Sequence, residues 1–232
     1  MKYNRRKTSY PFVLDDYNLI DDVYHAVRDN ERVVFLVRHG ERWFDYSPEW
    51  GLIESWIQQA KSLWKRLQWW RFKDTSNDYY WSTWFKRTVQ TSYYVWLSRW
   101  YEVFLEDKLD WECRNSYEKI EHPIQIVNYD YYEWDAAIWY IENKKEERAI
   151  KSEKMIPEIC EMTKSHDFSW ITTHDVVMIP LVSWLVNDTI KFSKKEWINY
   201  LSWVAIIIND EDWEFEIFPI RSLKEKSMVA FD

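Results

Sequence analysis

Apolar residues along this chain fall into short blocks with two kinds of spacing. The stretch "VVFLV", Val33 to Val37, is a continuous run rich in β-branched residues, the pattern of a strand buried on both faces. It follows a helical pattern over residues 14 to 30 that gives out within "RDNER". From Glu54 to Leu67 the apolar positions Ile57, Ala60, Leu63, Trp64 and Leu67 recur at helical spacing between Lys, Gln and Arg, which predicts an amphipathic helix. "YYWSTW", Tyr79 to Trp84, reads as a strand, and a helix is expected from about Arg87 to Ser98. Between Ile124 and Ile141 the aromatic run "YDYYEW" gives no decisive period. The charged segment "ENKKEERAIKSEKMIPEICEMTK" predicts a solvated helix interrupted or redirected at Pro157, and "FSWITT" a further short strand. At the end, "WVAIIIND" and "WEFEIFPI" flank Glu211 and Asp212 as in an antiparallel hairpin at a sheet edge.

Helices alternating with strands imply an α/β fold in three layers, a mainly parallel central sheet flanked by helices, with the C-terminal hairpin antiparallel. No repeat period and no Gly-, Ser- or Pro-rich linker divides the chain, so residues 1–232 are expected to form a single domain.

Composition narrows the function. Lys and Arg number 31 against 39 Asp and Glu, a net charge of -8, which argues against nucleic acid or an anionic membrane as a partner. An anionic substrate must be held by a local basic pocket. The longest apolar stretch, Val176 to Val186, falls short of the roughly 20 residues of a membrane helix and contains a proline. The N-terminus has positive charge but neither the apolar core nor the cleavage site of a secretory signal, so a cytoplasmic location is expected, or a secreted or periplasmic one if a signal has been removed. Cys113 and Cys160 fit no disulfide framework or zinc site and read as buried thiols. Glycine is abnormally scarce: an average composition gives roughly 16 in this length, whereas there are 2, Gly40 and Gly51, beside 18 tryptophans.

In sheets of this kind ligands sit beyond the carboxyl ends of the strands. The residues there are Arg38 and His39 after the first strand, and His174 and Asp175 after "FSWITT". Neutral imidazole is a competent nucleophile toward phosphorus, and guanidinium groups match phosphate oxygens bidentately. A second His-Asp pair, His166 and Asp167, precedes its strand and so falls at the opposite end; His25 and His122 have no supporting neighbours.

Four segments resemble the histidine phosphatase superfamily. Arg38-His39-Gly40 after the first core strand matches its signature; "GLIESWIQQAKSLWKRL" looks like its next helix; "STWFKRTVQTSYY" resembles its Ser-x-x-x-Arg-x-x-Gln-Thr segment; "ITTHDVVMIPL" resembles its second histidine motif. Glu41, Arg42 and the His174-Asp175 form extend the likeness toward the acid phosphatase branch. The resemblance implies a phosphomonoester hydrolase acting on a phosphorylated small molecule through a phosphohistidine, with no metal or other cofactor. His39 is then the nucleophile, Arg38, Arg42, Arg87 and His174 hold the phosphoryl oxygens, and Asp175 is the acid for the leaving oxygen and the base for the water. Glu41 or Glu112 is an alternative acid. A phosphoglycerate mutase-like phosphoryl transferase and a catalytically inactive phospho-ligand binding protein are alternative functions on the same fold. Substrate identity and oligomeric state are open at this level.

Gly40 is then expected where the backbone turns sharply and approaches a phosphate. Trp56 and Trp64 stand where the family usually has glycine, and Trp43, Trp170 and Trp203 occupy further positions where a small residue is expected. A tryptophan forced to positive φ costs about 1–3 kcal/mol. Inside a helix the exchange is milder, since glycine is a poor helix former by about 1 kcal/mol.

Overall fold

The run at Val33–Val37 lies within strand β2 (Glu31–Arg38), buried along its whole length, as its unbroken apolar character requires. The computed structural model describes residues 4–5, 23, 25–41, 51–59, 78–83, 85–100, 134–185, 191–193, 197–221 and 228–229. The other strands are β1 (Asn4–Arg5), β3 (Asp78–Ser82), β4 (Phe168–Thr173), β5 (Trp197–Ile198), β6 (Trp203–Asn209), β7 (Glu214–Arg221) and β8 (Met228–Val229). A six-stranded sheet has the order β1-β7-β6-β2-β4-β3, and β5 and β8 form a separate antiparallel pair. Parallel pairings join β2 to β4, β4 to β3 and β7 to β1, while β6 is antiparallel to both β2 and β7, so within the sheet β6 alone runs against the rest. The sheet is therefore mainly parallel, as expected.

Alternation along the strands splits the core in two. Val34 and Leu36 of β2, Ile171 of β4, and Val204, Ile206 and Ile208 of β6 face one cluster. It is covered by helices α2 (Trp134–Asn143), α3 (Lys145–Met162) and α4 (Asp175–Leu185), through side chains such as Ile141, Met155, Ile159 and Met178. The intervening residues Val33, Phe35, Val37, Trp170, Trp203, Ala205 and Ile207 face the other cluster with Val23, Val27, Trp56 and Val95, the last carried by helix α1 (Lys86–Trp100). Helices on both faces give the three layers.

Several expectations are corrected. The β6–β7 hairpin exists, but not at the sheet edge: β6 pairs with β2 and β7 is flanked by β1, because the unbroken apolar run Trp203 to Ile208 of β6 demands burial on both faces. The undecided stretch ending at Ile141 contains a helix from Trp134. Helix α3 runs through Pro157 without interruption. The carbonyl that loses its partner there is that of Glu153, an exposed residue open to water, while Met155, Ile156, Ile159 and Cys160 stay buried on the other side. The helix expected over 14 to 30 is described only at its end, which leaves helical geometry by Val27; that over 54 to 67 is described as helical for 54–59. Cys160 is a buried free thiol that burial pushes up to about 12, so it is unreactive; Cys113 lies outside the described residues.

The tryptophans at glycine-like positions carry no strained backbone where they are described. Trp170 and Trp203 are core residues on strands whose rings meet Phe35 at 5.8 and 5.3 Å, and Trp56 lies in the short helix. Trp43 and Trp64 lie outside the described residues. Positive φ occurs instead at Leu201 (56°) and at Trp213 (58°) in the β6–β7 turn. No helix among the described residues is long and apolar enough to cross a membrane.

Candidate active site

Strand register builds the site. β2 and β4 are paired in parallel with Arg38 opposite Thr173, and the His39 amide donates to the Thr173 carbonyl at 3.0 Å. Both chains therefore leave the sheet level with one another, and the rings of His39 and His174 lie 5.1 Å apart, edge to face. On the far side of β4, Ser82 of β3 is opposite Thr172, and Thr83 donates its amide to the Thr172 carbonyl. That register carries Thr83, Phe85 and Arg87 to the same end. His39, His174, Arg38, Arg87 and Asp175 are thus gathered from three strand ends; Arg42 and Glu112 lie outside the described residues.

The protonation of His39 follows from its partners. Nδ1 is 2.6 Å from the Gly40 carbonyl, which only accepts, so Nδ1 carries the hydrogen. Nε2 receives the Arg87 Nε–H at 3.3 Å, which only donates, so Nε2 presents its lone pair. Burial, reinforced by His174, Arg87 and Arg38, holds the imidazole well below the usual histidine range. The ring is neutral at physiological pH, with the lone pair of Nε2 beside a guanidinium.

Both arginines are laid on aromatic rings. The Arg38 guanidinium sits 4.0 Å from the centre of the Tyr200 ring and Arg87 4.3 Å from that of Phe85. Arg38 Nη2 also pairs with Asp175 Oδ2 at 2.8 Å, and its Nη1 donates to the Ile198 carbonyl. Asp175 opens helix α4, and its Oδ2 takes the Trp197 indole N–H at 2.8 Å as well as Arg38. Glu41 accepts from the Trp56 indole N–H, so this tryptophan at a family glycine position has acquired a polar partner beside the site. His174 Nε2 lies 3.0 Å from Thr83 Oγ1, and its ring meets Phe85 at 4.8 Å.

The two glycines are explained by crowding, not by backbone conformation, since neither has positive φ. A Cβ on Gly40 would lie 3.0 Å from Leu52 Cδ2 and 3.3 Å from Trp56 Cβ; one on Gly51 would lie 2.2 Å from Gln90 Oε1. Gln90 and Thr91 of α1 are what bring these segments close: Gln90 Oε1 accepts the Leu52 amide at 2.7 Å and Thr91 Oγ1 the Gly40 amide at 3.1 Å. The Gln-Thr of the third motif thus pins the backbone after His39. A Gly51→Ala protein is expected to lose about 1–3 kcal/mol of stability as Gln90 is displaced and the buried Leu52 amide left unpaired. Thermal unfolding should show a drop of about 2–4 °C per kcal/mol, smaller when Gln90→Ala is already present.

Three groups at the site were not anticipated from the sequence. Trp197 opens the two-residue strand β5 and Tyr200 lies in the connection from β5 to β6, where Leu201 holds its positive φ and donates its amide to the Arg38 carbonyl; no periodicity marks such a segment. Thr83 follows the end of a parallel strand, and the rule that singled out His39 and His174 points equally to it. The decoys fall elsewhere. His166 stacks on Tyr79 at 4.2 Å, and the Asp167 carbonyl accepts the Val33 amide, at the opposite end of the sheet. His25 is exposed, and His122 lies outside the described residues.

A family model described as the histidine phosphatase superfamily (branch 1) matches residues 34–220. No curated protein matches the chain. The fold is similar to that of a phosphoglycerate mutase from Bacillus anthracis str. Sterne, at 14% identity over 84% of this chain and 95% of that one, with a TM-score of 0.50. A phosphoserine phosphatase from Entamoeba histolytica, solved with 3-phosphoglyceric acid, aligns at 13% identity over 84% and 98% of the chains with a TM-score of 0.49. The alpha-ribazole phosphatase from Shigella flexneri aligns at 18% identity over 86% and 99%, with a TM-score of 0.47. The matching family model is that of branch 1, so the likeness to the acid phosphatase branch is not carried further.

Proposed function

The chain belongs to the histidine phosphatase superfamily, and from that premise we propose that it hydrolyses phosphate monoesters of small molecules through a phosphohistidine. The observation that carries this reading is the state of His39: neutral, hydrogen on Nδ1, lone pair on Nε2, with Arg87 and His174 against it. Nε2 attacks phosphorus and the bond to the ester oxygen breaks, its electrons leaving on that oxygen. The Gly40 carbonyl continues to accept from Nδ1–H and stabilises the positive ring that results. Arg87, which covers the lone pair at rest, moves its N–H groups onto the phosphoryl oxygens, beside Arg38 and His174; Arg42 shares this role.

We assign the leaving-group proton to Asp175, which regains it from the water that cleaves the N–P bond. As found, its carboxylate is an acceptor for Arg38 and Trp197, the form needed of a base in that second step. A substrate phosphoryl group competing for Arg38 loosens the ion pair, and the released carboxylate takes up a proton from solvent, which it delivers to the leaving oxygen in the first. The test is incubation with an aryl phosphate, with and without a chelator, followed by trapping of acid-labile phosphoprotein. Chelator-insensitive phosphate release with trapped phosphohistidine is expected. An isomerised phosphoester without free phosphate would move the reading to transfer, and binding without phosphoprotein to a silent relative.

A further inference from the structure

Around His174 a chain of hydroxyls has only one consistent direction. Thr88 Oγ1, fully buried near the start of α1, lies 2.8 Å from the Thr83 carbonyl and 2.7 Å from the Phe85 carbonyl. Carbonyl oxygens only accept, so the single Thr88 hydroxyl hydrogen is committed to them. Thr88 Oγ1 can then only accept along its 2.8 Å contact with Thr83 Oγ1, which commits the Thr83 hydrogen in turn. Thr83 Oγ1 is left as an acceptor toward His174 Nε2 at 3.0 Å. Reversing the chain would leave Thr88 facing two carbonyl oxygens at hydrogen-bond distance with no hydrogen between them, which is repulsive.

We propose that Thr83 and Thr88 form a one-way relay that keeps the hydrogen of His174 on Nε2, making Thr83 a positioning residue that acts through His174. The two histidines of the site then hold opposite tautomers: His39 with hydrogen on Nδ1 and a nucleophilic Nε2, His174 with hydrogen on Nε2. A ring so fixed carries its hydrogen at Nε2 whether neutral or charged, so when a substrate arrives that N–H can exchange its Thr83 acceptor for a phosphoryl oxygen without the ring first taking up a proton. The kinetic part of this inference rests on the phosphatase reading; the placement of the hydrogen does not.

The test uses the full chain labelled with 15N at histidine, the His174 ring signals being assigned by their absence in His174→Gln. Above a pH of about 8, where an ordinary histidine is neutral, the ring nitrogens distinguish the two tautomers. The wild-type His174 is expected as the Nε2–H form. Thr83→Val, which removes the acceptor, should give a mixture. Thr88→Val, which removes the acceptor for Thr83, should let Thr83 donate to Nε2 and move His174 toward the Nδ1–H form. Thr83→Ser should retain the wild-type signature, a rescue that a merely space-filling role does not predict. With an aryl phosphate, kcat should fall about tenfold in Thr83→Val, the value of one hydrogen bond, and stay within about twofold in Thr83→Ser. Hydrogen on Nδ1 in the wild type, or an unchanged tautomer in both valine variants, overturns the proposal. The expected tautomers in a protein that releases no phosphate would uphold the relay and overturn the hydrolase reading instead.

Discussion

A His39→Ala protein is expected to fold and to release phosphate from an aryl ester at least about 10³-fold more slowly than wild type, with no acid-labile phosphoprotein. No other described group offers the same combination of a lone pair fixed by an accepting carbonyl on one side and a donating guanidinium on the other. The pH dependence follows from the same ring. Burial keeps its folded value well below the ordinary 6.5, so the lone pair persists and the acid limb of kcat/KM set by His39 lies well below that value. Stability carries the opposite face of this effect. Between 6.5 and the depressed folded value the unfolded chain binds a proton that the folded protein refuses, so His39 destabilises the fold progressively as the pH drops below about 6.5 and contributes nothing above it. The slope is at most about 1.4 kcal/mol per pH unit, and His39→Ala should flatten the Tm against pH curve in that range. Full activity in the alanine protein would end the phosphohistidine mechanism.

Replacement of Arg87 should move two observables at once. Arg87→Ala removes the proposed phosphoryl ligand, and a loss of about 10²–10³-fold in kcat/KM is expected. Arg87 is also among the charges that lower the pKa of His39, so its removal raises that pKa and shifts the acid limb upward. Arg87→Lys keeps the charge but not the planar fork or its stacking on Phe85. It should therefore leave the acid limb nearer its wild-type place while still losing rate. A rate loss in Arg87→Ala with the acid limb unmoved would place Arg87 away from the nucleophile in solution.

The elements most readable in the sequence were those whose signal is local. "VVFLV" and "FSWITT" announced buried strands because every position is apolar or small, and the chemistry-bearing residues stand directly after them. Where the signal depends on distant partners it failed. The hairpin pattern suggests an edge, since nothing local says that β2 will pair with β6. The tryptophans were read against glycine turns, yet Trp170 and Trp203 lie in extended strands that tolerate any side chain, and the positive φ values belong to Leu201 and Trp213. Gly40 was attributed to phosphate approach, whereas Leu52 and Trp56 are what exclude a side chain there.

The sequence by itself determined the kind of fold and which residues stand at the strand ends of the candidate site, because hydrophobic alternation and the residue types at strand ends are properties of contiguous stretches. The tertiary structure alone decided which nitrogen of His39 faces the Arg87 guanidinium, that Asp175 is held by Arg38 and Trp197, and that Tyr200, Thr83 and Thr88 belong to the site. Each of these depends on the register between strands far apart in the chain, and hydrogen-bond direction is fixed only when both partners of a contact are in place.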